Sequence, residues 1–372
     1  MSTVNVTNIK NSGSASTNIV LDTSGNAAIS GTVSMGSSFL RNRIINGDMR
    51  IDQRNAGASV TPTTTSFYVL DRWNHNLTVA SKFSVQRNAG SVTPPAGFVN
   101  YMGITSLSAY SVLAADLFGI VQGIEGYNIA DLDFGKATAR TITLSFWVRS
   151  SITGTHAGAV LNGTSTRSYT FTYTISAANT WEYKTVTIPG DTTGTWAVDQ
   201  TLGLTITFNL GAGSTYATAA GVWTAGAFTT VSGAVSIVGT NAATFYVTGV
   251  QLEAGSVATP FERRQFGTEL DLCQRYCVKC DASFAMGQAF SATSAAFYMQ
   301  LPVPMRATPA LSTTASYNCY NVAGGNVSVT PAINIFQPPN VLRIDGTTAS
   351  GLVAGSATVL LFPTNVNLSA EL

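Results

Sequence analysis

Acid–base catalysis needs titratable groups acting together, and this sequence offers few of them. It has two histidines, His75 and His156. His75 lies between Asn74 and Asn76 just after an expected strand, and His156 lies in the turn-like run Gly154-Thr155-His156-Ala157-Gly158. Each reads as a surface loop residue rather than a catalytic base. Three cysteines crowd together, Cys273, Cys277 and Cys280, while Cys319 stands apart. Their C-x3-C-x2-C spacing is not a usual zinc pattern. Cys273 and Cys277 stand at i, i+4 and read as small buried hydrophobes on one helix face. No G-x-S-x-G elbow, H-E-x-x-H helix or Walker loop is present.

Glycoside hydrolysis is the enzymatic chemistry with the most to recommend it, and it needs two carboxylates about 5–10 Å apart. Asp131 and Asp133 would share a strand face, with Glu125 close in sequence. Eighteen acidic residues along 372 positions make such a pair easy to find by chance. Solvated loop residues are the simpler reading. Sugar binding needs less, namely an exposed aromatic platform with a few polar side chains. The candidates are Trp196, Trp223, Trp73 and Tyr127. Trp196 and Trp223 are favoured because they sit nearest loops rich in Gly and Thr. Large aromatics in a β-sandwich more often belong to the core. Trp147 alternates opposite Ile142, Leu144, Phe146 and Val148, which assigns it to the outer surface or to a second interface.

The elements that would position these residues are strands. Ile142 to Val148 alternates, as do Tyr169, Phe171, Tyr173 and Ile175, and again Leu204, Ile206, Phe208 and Leu210. Phe83 with Val85 and the stretch 244–252 add further strands, and Pro189-Gly190-Asp191 marks a turn. Short strands joined by Gly-rich turns predict an all-β two-sheet sandwich, a jelly roll, over residues 41–265. Thr268 as N-cap, with Asp271 three residues on, predicts a connecting helix over 266–280. Alternation at Phe297, Met299, Leu301 and Val303 and a short buried run over 357–362 predict a smaller C-terminal β-domain over 281–372. Residues 1–40 are poor in aromatics. In that segment Ile19-Val20-Leu21 and Ala27-Ala28-Ile29 flank a turn, and the reading is a stalk of intertwined copies or a partly disordered tail.

Charged residues make up only 10% of the chain and the net charge is +1. That composition carries no electrostatic footprint for nucleic acid. No apolar run is long enough to insert in a membrane. Residues 1–10 lack the features of a classical signal peptide, so synthesis in the cytoplasm and no disulfide framework are expected. A near-neutral surface rich in hydroxyl groups suits a component of an assembly.

A series of blocks then stands out. Asn42-Arg43-Ile44-Ile45-Asn46-Gly47-Asp48-Met49 opens the sandwich and Asp71-Arg72-Trp73 follows. Next come Gln122-Gly123-Ile124-Glu125-Gly126-Tyr127, Thr143-Leu144-Ser145-Phe146-Trp147-Val148 and Thr180-Trp181-Glu182-Tyr183. Thr248-Gly249-Val250-Gln251-Leu252-Glu253 and Ala258-Thr259-Pro260-Phe261-Glu262-Arg263-Arg264 close it. The series, over residues 41–310, resembles a family of phage and prophage structural proteins commonly labelled tail-fibre or carbohydrate-binding-like.

The resemblance implies a galactose-binding-like jelly roll, a homotrimer and adhesion to a host-surface glycan or protein. It also implies a place in the virion, with residues 1–40 meeting other tail proteins. In jelly-roll carbohydrate modules a structural Ca2+ can lie between the first strand's turn and an acid on the last strand. Asn46, Asp48 and Glu253 fall in comparable places and carry oxygen ligands. The competing reading makes Asn46-Gly47 a plain turn and pairs Glu253 with an arginine. No other cofactor is expected. The leading function is non-catalytic host attachment. The alternatives are a purely architectural virion part and a glycan depolymerase.

Overall fold

The computed structural model describes residues 41–372 apart from 66–67, 281–282, 313–316, 338–339 and 365, together with three short strands among the first forty residues. The side chains of 335–337 are not described. The chain divides into two compact units, residues 1–41 and 42–372. In the first, β1 (Asn8–Ile9), β2 (Ile19–Leu21) and β3 (Ala27–Ile29) form an antiparallel sheet in which Ile19 pairs with both Ile9 and Ile29. The rest of the predicted stalk lies outside the described residues.

The second unit begins with an all-antiparallel sandwich. Its strands are β4 (Tyr68–Leu70), β5 (Trp73–Leu77), β6 (Phe83–Arg87), β7 (Met102–Ser106), β8 (Leu117–Glu125) and β9 (Ile142–Ser150). They continue with β10 (Gly154–Asn162), β11 (Arg167–Ile175), β12 (Glu182–Ile188), β13 (Leu202–Ala212), β14 (Trp223–Ala225) and β15 (Thr244–Ala254). One sheet has the order β14-β11-β10-β13-β8-β5-β4 and the other β12-β9-β15-β7-β6. This is the expected jelly-roll arrangement of two stacked sheets. Its core is built by alternation: Ile142, Leu144, Phe146 and Val148 of β9 face Leu204, Ile206, Phe208 and Leu210 of β13, all fully buried. Phe146 meets Phe208 edge-on at 5.0 Å between the sheets.

Both histidines contradict the loop reading. His75 is buried in β5, edge-on to Phe83, and its Nε2 lies 2.8 Å from the Thr64 carbonyl. His156 is buried in β10 between Tyr173 and Phe245, with Nε2 3.0 Å from the Ile152 carbonyl. The neighbours of His75 are polar, but Trp73 and Leu77, two residues away on either side, point inward, and His75 shares that face.

The one α-helix among the described residues, α1 (Phe266–Gln274), starts from Gln265 and ends before the cysteine pair is complete. Thr268 therefore lies inside its first turn and is not the cap. The neighbouring acid Glu269 turns inward, where it accepts the Asn46 backbone N–H and faces Arg264. Burial pushes its carboxyl above the usual range, and Arg264 partly offsets that. Cys277 belongs to a strand, β16 (Cys277–Lys279), because this backbone pairs with residues 367–369. All four cysteines are buried, and burial pushes the Cys277 thiol up to about 12. Such thiols are inert at neutral pH.

Beyond the helix come β17 (Phe284–Ala289), β18 (Ser294–Gln300), β19 (Ala310–Leu311), β20 (Tyr317–Asn321), β21 (Gly325–Gln337), β22 (Val341–Thr347), β23 (Ala357–Leu361) and β24 (Asn367–Ser369). Six of them close a barrel in the order β17-β18-β22-β21-β20-β23, and β16-β24-β19 form a small sheet. Closure leaves no free edge. The stretch 357–362, read as a buried run, alternates instead: Leu360 fills the barrel and Leu361 is 43% exposed. Residues 370–372 return to the sandwich, where Glu371 reaches Arg54 and the fully buried Arg72. The Arg72 guanidinium also lies 3.5 Å from the centre of the Tyr276 ring, and Tyr276 donates to Glu125. These contacts join barrel, helix and sandwich.

Candidate functional site

Because β9 turns Leu144, Phe146 and Val148 inward, Ser145 and Trp147 face out from the five-stranded sheet. The ladders then fix their neighbours. Tyr183 of β12 stands opposite Trp147, and their ring centroids are 5.4 Å apart. On the other side β15 pairs Thr248 with Trp147 and Gln251 with Ser145, leaving Gly249 and Val250 in a bulge. Val250 drops into the core, while Gly249 takes φ 61° and, lacking a side chain, lets the Phe98 and Trp147 rings approach over it.

Two loops wall this floor. Residues 88–101 run over the sheet face, anchored where Tyr101 packs on Tyr246 and Trp181, and they bring in Phe98. Residues 258–263 form the other wall. Gln251 Oε1 accepts the Glu262 N–H, and Glu253 accepts both the N–H and the hydroxyl of Thr259. Phe98 and Phe261 meet edge-on at 5.2 Å. The Arg263 guanidinium lies 4.7 Å from the Phe98 ring centre and 5.7 Å from that of Phe261. The result is a cleft of about 480 Å³ with Trp147, Tyr183, Phe98 and Phe261 as aromatic surfaces and Ser145, Thr259 and Arg263 as polar groups. A cleft of this size and lining suits a small ligand with apolar faces and polar edges, and pyranose rings have that character.

The residues singled out from the sequence lie elsewhere. Trp73 is fully buried and donates its indole N–H to the Asn46 carbonyl, so it presents no platform. Trp196 and Trp223 do come together, with ring centroids 5.5 Å apart. Trp196 is only 7% exposed and packs edge-on against Phe134, while Trp223 leans on Tyr169 and donates to the Pro189 carbonyl. They close one end of the core. Tyr127 is exposed, with its hydroxyl 3.4 Å from Gln200, and it adjoins no other candidate aromatic.

The proposed calcium ligands are occupied by protein groups. The Asn46 side chain bonds Ile51 and Asp71 backbone atoms, Asp48 pairs with Arg50, and Glu253 receives Gln251 and Thr259. Each of the three thus has protein partners of its own. Among the described residues Glu253 pairs with no arginine; it pins the cleft wall through Thr259. Among the described residues no cluster of His, Cys, Asp and Glu is arranged to hold a metal.

The carboxylates considered for hydrolysis also have separate partners. Asp131 faces Arg43 and Arg140, Asp133 faces Lys136, and buried Glu125 accepts from Arg275 and Tyr276. Sequence reading missed Phe98, Tyr183, Phe261 and Arg263 as a group. The one usable signal was Trp147, placed outward by alternation.

No family model matches the sequence, and no curated protein matches it. Among solved structures, the chain is similar to the enzymatically active domain of bacteriophage CBA120 tailspike protein 4, at 12% identity and TM-score 0.32 over 58% of this chain. It spans only 22% of that chain's length. It is also similar to a putative sugar binding protein from Bacteroides thetaiotaomicron, at 12% identity and TM-score 0.33 over 57% of this chain and 100% of that one. A family 11 carbohydrate-binding module from Clostridium thermocellum gives 12% identity and TM-score 0.27 over 55% and 99% of the two chains. Likenesses at this level leave function to be read from the site itself.

Proposed function

We propose that the chain is a non-catalytic glycan-binding subunit that attaches a phage particle to its host, as part of a homotrimeric tail fibre. The observation that carries the binding role is the cleft beside Gly249, where Trp147 and Tyr183 stand paired on an outer sheet face. Solvent-facing aromatic pairs of this kind stabilise stacked sugar rings and are otherwise costly to leave in water. The phage assignment rests on the blocks from Asn42 to Arg264 and on the low charge. Self-association is supported by the barrel exterior. Tyr298 pairs with Met286, Met286 with Val359, and Val359 with Tyr320, while Phe284 and Leu361 lie in the row beside them. Five of these six are large exposed hydrophobics.

The architectural reading is favoured by that same exterior row, because a scaffold part needs contact surfaces and no ligand. Binding of labelled protein to intact host cells and to a glycan array separates the two readings. Saturable binding, lost in a folded Trp147→Ala, Tyr183→Ala double variant, is the expected result. Absence of binding by a folded trimer would leave a scaffold. Release of reducing ends from host polysaccharide would instead identify a depolymerase.

A further inference from the structure

We infer that the cleft selects an acidic saccharide, with Arg263 receiving the carboxylate of a uronic or sialic acid residue. The inference rests on the glycan-binding reading above and names the ligand class at that site. Its starting point is an arginine at the cleft rim that, among the described residues, faces no acid. Arg50, Arg54, Arg72, Arg167, Arg275 and Arg343 each face an acid of this chain. Neighbouring Arg264 is spent on Asn42, Glu262 and Glu269. Arg263 is exposed and, among the described residues, donates no hydrogen bond to a carboxylate or carbonyl.

Arg263 contacts two rings, and these hold it in place. Stacking over Phe98 and Phe261 fixes the guanidinium plane while leaving the edges of its fork open. Gly97 lets the backbone come in behind it, since a Cβ there would lie 3.0 Å from Nη2. A fork already ordered in this way loses little entropy when a planar carboxylate docks on it by two parallel hydrogen bonds.

The nearby acids do not compete for it. Glu253 is buried, with its oxygens taken by Gln251 and Thr259, and Glu262 accepts the Asn42 N–H and faces Arg264. The cleft therefore presents aromatic faces for a sugar ring and, at its rim, one uncompensated positive charge. A neutral saccharide would leave that charge unused. A carboxylated one satisfies ring and fork together.

The test compares an oligouronate with its carboxyl-reduced form, beside sialylated, sulfated and neutral glycans on one array. It uses full-length wild type, Arg263→Gln, Arg263→Lys and the Trp147→Ala, Tyr183→Ala double variant, each checked for folding by thermal melting. Wild type is expected to bind a carboxylated sugar about tenfold or more tightly than the reduced form. Arg263→Gln should erase that ratio, and Arg263→Lys should restore it only in part. Equal affinity for the two forms, a ratio that survives in Arg263→Gln, or preference for sulfated over carboxylated sugars overturns the inference. If those results come with binding that the double variant abolishes, the glycan cleft itself still stands. Binding indifferent to the double variant, or no binding at all, overturns both.

Discussion

Gly249 and Phe98 touch at a point where any side chain would intrude: a Cβ on Gly249 would lie 2.6 Å from Cζ of the Phe98 ring. The same residue has φ 61°, a backbone conformation that a β-carbon disfavours. Gly249→Ala should therefore cost about 1–2 kcal/mol in urea unfolding. It should also displace Phe98 and weaken glycan binding well beyond what that loss of stability explains. Unchanged binding in the variant would separate Phe98 from the site.

His156 should give the protein an acid-sensitive limb. Burial pulls its pKa below the ordinary 6.5, partly opposed by the bond to the Ile152 carbonyl. The unfolded chain then takes up a proton at a higher pH than the folded one. Its contribution to stability is thus full above about pH 6.5 and is lost as pH falls through that value toward the folded pKa. The loss amounts to about 1.4 kcal/mol per pH unit in that window. Urea midpoints of wild type and His156→Gln, measured from pH 8 to 5, should converge on the acid side. Parallel curves would mean that the imidazole is solvated.

Glu371 links the last strands to the sandwich through two arginines, one of them fully buried. Removing it leaves the buried Arg72 without an acid, while Arg54 keeps Asp71 at 3.8 Å. Glu371→Ala should cost about 3–5 kcal/mol. Lys136→Ala, which breaks an exposed pair with Asp133, should change stability by less than about 1 kcal/mol. Chemical denaturation of both variants checks the contrast, and equal effects would refute the clamp.

The barrel exterior predicts self-association. Wild type should sediment as a trimer at micromolar concentration. Met286→Glu with Tyr298→Glu should shift it toward monomer while the barrel remains folded by circular dichroism. A wild-type monomer would remove the intertwined fibre.

Strand faces were legible because period-two alternation is imposed by the backbone alone: Ile142 to Val148 and Leu204 to Leu210 lie as the pattern requires. His75 was misplaced because polar neighbours were weighed above the inward parity of Trp73 and Leu77, and His156 because its flanking glycines, Gly154 and Gly158, read as a turn although they lie in β10. The expected cap failed because the helix starts three residues earlier, from Gln265, which puts Thr268 inside the first turn. The cleft was illegible for a different reason. Phe98, Trp147, Tyr183 and Phe261 come from four separate segments, and only strand register and the Gly249 bulge bring them together. The sequence-favoured Trp196 and Trp223 met the compositional criterion for a platform, but packing against Phe134 and Tyr169 uses their faces.

The most direct measurement is a crystal structure of the full chain with the oligosaccharide it binds most tightly on the array. The glycan-cleft proposal predicts a sugar ring stacked on Trp147 or Tyr183, with its polar edge toward Arg263. A sugar seated instead against Trp223 or on the barrel, with the Trp147 cleft empty, would contradict it.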